Sequence, residues 1–282
     1  EIDEKLGLVD LLHVVCDLCN YPPGEACYES KHGQVRFAIG QIVDAKLLEV
    51  AGRRGIPQPN RGHHEKGDDF PGGYVLDPEP GMYEDVVAPD YSGMYPNIVR
   101  AWNFGRETFV PEDEITMDEE GDGVWRAASG EYAGARVIRG ETGAFVHPDD
   151  GPRSVPAEAA DELVEMRDGA PDIVDKGVKA VNNTLYGVFA ADHQRYFGPH
   201  SENITLVGQE LTGKVEEIAG AGHGDIDEVI YGDTDSIMVS MADPDDPVKA
   251  ARRIASDVET EMKEWAAGKG AMPEYLELDV DD

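Results

Sequence analysis

Basic residues are scarce in this chain: 24 lysines and arginines stand against 58 aspartates and glutamates, a formal charge of -34 over 282 residues. A surface of that sign repels nucleic acid and anionic lipid at ordinary ionic strength, so a broad basic face is excluded as a means of gripping either. The balance fits adaptation to molar salt, where the Debye length falls to about 3 Å and acidic faces serve mainly to hold water. Cysteine is scarce too. The three copies, Cys16, Cys19 and Cys27, could be drawn with His13 as a zinc set, but structural zinc sites usually pair two short ligand knuckles. Leu8, Leu11, Leu12, Val15, Cys16, Leu18 and Cys19 fall largely on one helical stripe, which favours core packing for the thiols. No apolar run approaches the roughly 18 residues of a membrane span, and no basic segment followed by an apolar core opens the chain. A cytoplasmic location is therefore expected. The absent start Met suggests a piece of a longer protein.

What is present is 40% hydrophobic residue content, enough for a real core, arranged in segments of changing period. Helical spacing is read over 1–20 and over about 33–54, where Val35, Ile39, Ile42, Val43 and Leu47 recur on one face. A polar loop from Gly55 to Gly67 follows. GGYVLDPEPGMYEDVVAPDY, 72–91, is read as two strand-like runs paired around DPEPG. A short helix is expected over Tyr95–Asn103 with Pro96 in its first turn, then small strands at VWRA, ARVI and GAFV. Ala157–Arg167 and a segment from Asp172 through KAVNNTLYG form an expected helical hairpin. Ser201 is the expected cap of a helix ending at Gly220, Pro247–Ala267 is another helix, and Tyr275–Val280 is a strand. Strands and helices mixed without βαβ alternation argue an α+β fold.

Chemistry concentrates in three places. In YGDTDS, 231–236, two aspartates one residue apart occupy an expected hairpin tip formed by Gly232, Asp233, Thr234 and Asp235. Asp and Gly are ordinary turn residues, so a plain surface hairpin would account for that segment alone. Asp90, however, also ends an apolar strand. Strand-end carboxylates from separate segments can converge at one sheet edge, and keeping them ionised together calls for a cation. Mg2+ takes one or two carboxylates plus substrate phosphates. Lys179 and Asn183, four apart, share one helix face with Tyr186 and Gly187 just beyond. By spacing alone that face could equally be solvated surface over Val178, Val181 and Leu185.

In order and interval, DYSGMYPNIV (90–99), KAVNNTLYG (179–187) and YGDTDS (231–236) resemble motifs A, B and C of family B DNA polymerases. The likeness extends from about residue 33 to 282. It implies a palm with a mainly antiparallel sheet backed by helices, plus a short helical-hairpin fingers insertion. The expected division is an N-terminal helical segment over 1–65, palm over 66–152, fingers over 153–190 and palm again over 191–282. The resemblance further implies catalytic acids at Asp90, Asp233 and Asp235, with Asp90, Asp235 and the Tyr91 carbonyl as ligands of two Mg2+ ions, for which Mn2+ can substitute. Gly93, Met94, Tyr95, Arg167, Lys179 and Asn183 would meet the deoxynucleoside triphosphate, with Tyr95 packed under the sugar. Tyr186, Gly187, Gly232 and Thr234 would flank the nascent base pair and primer. Primer-template DNA is the implied partner, and a sliding clamp would be met through regions outside this chain.

This sequence departs from the family pattern in several places. Gly93 stands where Ser is usual, and Thr184 replaces another Ser. Pro171 falls where a further fingers lysine is expected, and only twelve positions separate Arg167 from Lys179. Two other readings follow. One is a polymerase-derived scaffold without catalysis, against which the retained acids argue. The other is an acidic cation-binding protein of a halophile, which predicts scattered carboxylates and not ones that terminate two apolar strands.

Overall fold

The computed structural model describes residues 7–62, 72–117, 124–191, 195–196, 198, 200–220, 226–242 and 246–280. Parts of the segments read as the first helix (1–6) and the loop to Gly67 (63–67) lie outside the described residues. Helix α1, Leu8–Leu18, buries Val15 and Cys16, and Cys19 just past it is fully buried as well. Cys27 is exposed. The first two thiols thus serve as small core hydrophobes.

Strands β1 (Cys27–Glu29) and β2 (Val35–Phe37) pair antiparallel as a small hairpin. Val35 therefore belongs to a strand, and the helix expected from about residue 33 is shorter: α2 is Ile39–Arg54, closed by Gly55. A strand residue turned to solvent mimicked one more step of the helical stripe. Residues 72–91 also differ from the expected paired runs. Leu76 N–H donates to the Gly232 carbonyl and Glu79 N–H to that of Ile230. Strand β3 (Val86–Val87) instead pairs with a strand at 236–241. Both runs dock on one distant hairpin, from opposite sides, and not on each other.

After β4 (Pro89–Tyr91) comes α3, Met94–Ala101, with Pro96 in its first turn. A small subdomain follows. β5 (Phe109–Pro111), β9 (Gly143–Val146) and β8 (Val137–Arg139) form one antiparallel sheet, and β6 (Ile115–Met117) with β7 (Trp125–Ala127) forms another. Val110, Ala127, Val137, Ala144 and Val146 make their own core. Helix α4, Val155–Glu165, starts two residues before the expected Ala157, because Ser154 Oγ accepts the Ala157 N–H and sets the first turn.

Helix α5, Asp172–Ala190, lies against α1, α2 and α4. Helix α6, Glu202–Gly220, buries the expected stripe of Ile204, Val207, Leu211, Val215 and Ile218. Ser201 precedes it as expected, although its hydroxyl donates to the Tyr196 carbonyl and accepts the Gly198 N–H. Strands β10 (Ile226–Asp233) and β11 (Ser236–Met241) then form the long hairpin. Helix α7 is Pro247–Gly268, capped by Asp246. Of the expected final strand only β12, Leu278–Val280, is extended, after a 3-10 turn at Pro273–Tyr275.

The central sheet runs β10-β11-β4-β12, with β3 also on β11, and all its pairings are antiparallel. Helices α6 and α7 pack on it, and α3, which follows β4, packs on α4, α5 and α6. Seven helices and antiparallel sheets among the described residues make this an α+β fold. One hydrophobic core runs through sheet and helices.

Candidate active site

Asp90 is the point at which three strands meet. In register it pairs with Ser236 of β11 on one side and Asp279 of β12 on the other. One step along, Tyr91 N–H donates to the Asp235 carbonyl at 2.9 Å. The pairing of β4 with β11 therefore sets Asp235, just before β11, within one residue of register of Asp90.

The turn bearing Asp235 is tight. Asp233 pairs with Ser236, which leaves Thr234 and Asp235 as the two-residue tip, with Thr234 in the left-handed region at φ 57°. Asp235 N–H donates to the Asp233 carbonyl at 2.6 Å, and Thr234 N–H to Tyr74 at 2.7 Å. From α6, Thr212 Oγ1 donates to the Thr234 carbonyl at 2.6 Å. Gly232 is not part of the tip as expected but lies in β10, where Leu76 approaches so closely that a Cβ would lie 2.9 Å from its Cδ1. Close packing, not turn freedom, is what glycine meets there: a larger residue would have to shift the Leu76 side chain.

A cleft of about 520 Å3 opens above this junction, lined by Asp90, Tyr91, Gly93, Met94, Tyr95, Arg167, Lys179, Asn183 and Asp235 among others. Nine residues singled out in the sequence, from three elements and from connections between elements, thus share one space. Gly93 enters α3 at φ 63°, a conformation that favours glycine. Tyr91 turns its ring into the core, where its hydroxyl donates to the Leu211 carbonyl at 3.3 Å, and burial pushes its pKa up. Tyr95 is half-buried and its phenol is pushed up to about 12, by burial first and then by Tyr186 and Asp235. The rings of Tyr95 and Tyr186 stack at 4.3 Å and 11°.

Asp233, Thr234, Gly232, Tyr186 and Gly187 are not among the lining residues. The Asp233 carboxylate accepts hydrogen bonds from Thr234 Oγ1 at 2.9 Å and Tyr231 OH at 3.3 Å. Tyr186 is one layer back, its hydroxyl accepting from Thr205 at 3.1 Å. Further cleft residues were not singled out as site residues in the sequence, among them Arg100, Asn182, Glu274, Tyr275 and Glu277. Arg100 lies over the Tyr275 ring at 4.3 Å and donates to Asp161 at 2.7 Å. The pairing of Leu278 with Tyr91 brings the 274–277 segment alongside β4, and nothing local in the sequence announces it.

Among the described residues no group of three or more His, Cys, Asp and Glu side chains is gathered closely enough to hold a metal. Two carboxylates, Asp90 and Asp235, with the carbonyl of Tyr91 next to Asp90 in sequence, are nonetheless a hard-oxygen donor set of the size Mg2+ uses when phosphates complete its shell. Burial, and secondarily the charge of Asp233, hold the Asp235 carboxyl above its ordinary range against its own backbone N–H. A cation is what would favour its ionised form. Across the cleft the cations are already engaged. Arg167 Nε and Lys179 Nζ both reach the Asp175 carboxylate, at 2.6 and 3.1 Å.

The sequence model of DNA polymerase family B matches residues 38–267. The chain belongs to DNA polymerase family B. DNA polymerase 2 of Aeropyrum pernix is 30% identical over 233 residues, covering 77% of this chain and 26% of that protein. The DNA polymerase of Archaeoglobus fulgidus is 28% identical over 221 residues, 73% and 25% of the two chains. The chain thus spans about a quarter of the length of these relatives. In fold it resembles the family B DNA polymerase of Pyrobaculum calidifontis, with a TM-score of 0.66 at 24% identity over all of this chain and 33% of that one. The three motif segments of this family B chain lie on β4–α3, on α5 and on β10–β11, and each contributes to the one cleft.

Proposed function

We propose that this chain is the palm and fingers of a template-directed DNA polymerase, adding deoxynucleotides to a primer 3'-hydroxyl with release of pyrophosphate. The observation that carries the proposal is the convergence of Asp90 and Asp235 in a cleft that also holds Arg167, Lys179 and Asn183. Residues 66–152 and 191–282 act as the palm, 153–190 as the fingers, and 1–65 lead into the palm.

Asp90, Asp235 and the Tyr91 carbonyl would hold the Mg2+ ions, which supply charge neutralisation and an activated hydroxyl for in-line phosphoryl displacement. The chain's own residues do the rest. Arg167 and Lys179 bind the triphosphate, with Asn183 beside them. Backbone amides at Gly93 and Met94, at the positive end of α3, hold its outer phosphates. The Tyr95 ring, braced by Tyr186, closes the floor under the sugar and leaves no room for a 2'-hydroxyl. Tyr186 and Gly187 border the nascent base pair, and Gly232 and Thr234 the primer end. Asp233 supports the turn through Thr234 and Tyr231 and has the weaker claim to direct ligation. A molar-salt environment suits the charge.

Primer extension by the full-length parent in Mg2+ and high KCl tests the proposal. Asp90→Ala and Asp235→Ala are each expected to lower kcat by about a thousandfold or more, and Asp233→Ala by much less. No extension by the unmutated enzyme rejects the function. Extension undiminished in the first two variants rejects the site.

A further inference from the structure

The two cations assigned to the triphosphate share one carboxylate. Arg167 directs Nε and Nη2 at Asp175 Oδ1, each at 2.6 Å, and Lys179 Nζ meets Oδ2 at 3.1 Å. Asp175 lies in the first turn of α5, one turn before Lys179, and is not among the cleft-lining residues. Resting on the reading of this cleft as a triphosphate site, we propose that Asp175 is an internal counter-anion that competes with the incoming triphosphate for Arg167 and Lys179.

The geometry decides between a brace and a competitor. An arginine grips phosphate through paired N–H groups on one edge of its plane, and Nε with Nη2 is the edge that Asp175 now occupies. The three side chains are 37%, 32% and 61% exposed for Arg167, Asp175 and Lys179. Pairs this exposed are weak and exchange readily, so phosphates can displace the carboxylate. Displacement does not remove it. Asp175 is tethered four residues from Lys179 on the same helix face, so its charge stays beside any phosphate those cations bind and opposes it. Holding two mobile side chains in place repays only part of that repulsion at moderate salt. In molar salt the Debye length shrinks to about 3 Å and the repulsion fades. Asp175 therefore makes nucleotide affinity depend on salt through a single carboxylate.

Single-nucleotide incorporation by the full-length parent, at about 0.3 M and about 2 M KCl, separates the possibilities. Asp175→Asn should lower the KM for the deoxynucleoside triphosphate about fivefold at the lower salt with kcat nearly unchanged, and by less than about twofold at the higher. Asp175→Glu, which keeps the charge, should retain the unmutated KM. A fraction of misfolded enzyme would lower kcat and leave KM alone. An unchanged or raised KM in Asp175→Asn, or a fall that persists at high salt, overturns the competition while leaving the cleft assignment standing. Failure of the unmutated enzyme to incorporate overturns the cleft assignment and the competition with it.

Discussion

His200 is buried beside the rings of Phe109 and Phe189, with ring centroids at 6.0 and 6.4 Å, and its Nε2 has no partner among the described residues. Burial first, and then the charge of Arg106, push its pKa down to about 4. The folded protein thus keeps this imidazole neutral where the unfolded chain, with a histidine near 6.5, takes up a proton. Below about pH 6.5 the unfolded state binds more protons, so stability falls as pH drops toward 4 and is flat above. The full swing is about 3 kcal/mol. Urea titrations at pH 4.5 and 7 should show His200→Gln losing much of the pH dependence seen in the unmutated chain. An equal pH dependence in both would refute the assignment. At the same scale the three acids of the cleft and its turn show what a sequence reveals. Strand-end placement made Asp90 and Asp235 visible. The turning of Asp233 toward Thr234 and Tyr231 was not, because it depends on hydroxyl geometry around a left-handed Thr234.

Between elements, one tie is made by Asp44. It projects from α2, is 3% exposed, and accepts from Arg195 at 2.6 and 3.2 Å and from Arg61 at 3.1 and 2.6 Å. Arg195 also donates to the Pro59 carbonyl at 2.6 Å. One carboxylate thus fastens the segment after α2 to the connection between α5 and α6. Its removal would leave the part-buried Arg195 without its counter-charge, so Asp44→Ala should cost about 1–3 kcal/mol in urea unfolding. A loss under about 1 kcal/mol would mean that the arginines find water instead. No local pattern predicts this clamp, because its parts lie 17 and 151 residues apart. The same reason explains which elements were legible. Helices α5, α6 and α7 carry periodic apolar faces longer than three turns, so period alone located them. Three-residue strands such as β5 and β6 span barely more than one two-residue period, too little for an alternation to stand out. The runs at 72–91 were seen as extended but assigned to each other, because pairing is settled by a hairpin some 150 residues downstream.

Over the whole molecule, 58 acids against 24 bases leave 34 carboxylates without a one-to-one cationic counterpart. Several arginines are spent on partly buried pairs: Arg100 and Arg153 on Asp161, Arg54 on Glu158, Arg195 on Asp44. The uncompensated charge is therefore concentrated on the outer surface, where like-charge repulsion favours the expanded chain. Salt screens exposed charges strongly and these partly buried pairs much less, so added KCl relieves repulsion faster than it weakens the ties. The melting temperature should consequently rise between about 0.2 and 2 M KCl, each kcal/mol of relieved repulsion adding roughly 2–4 °C in a chain of this size. NaCl should act alike if screening is the cause, and sucrose, which strengthens burial without screening charge, separates the two effects. A melting temperature that falls with KCl would mean the internal ion pairs outweigh the surface. The acidic surplus would then have to be explained by something other than salt.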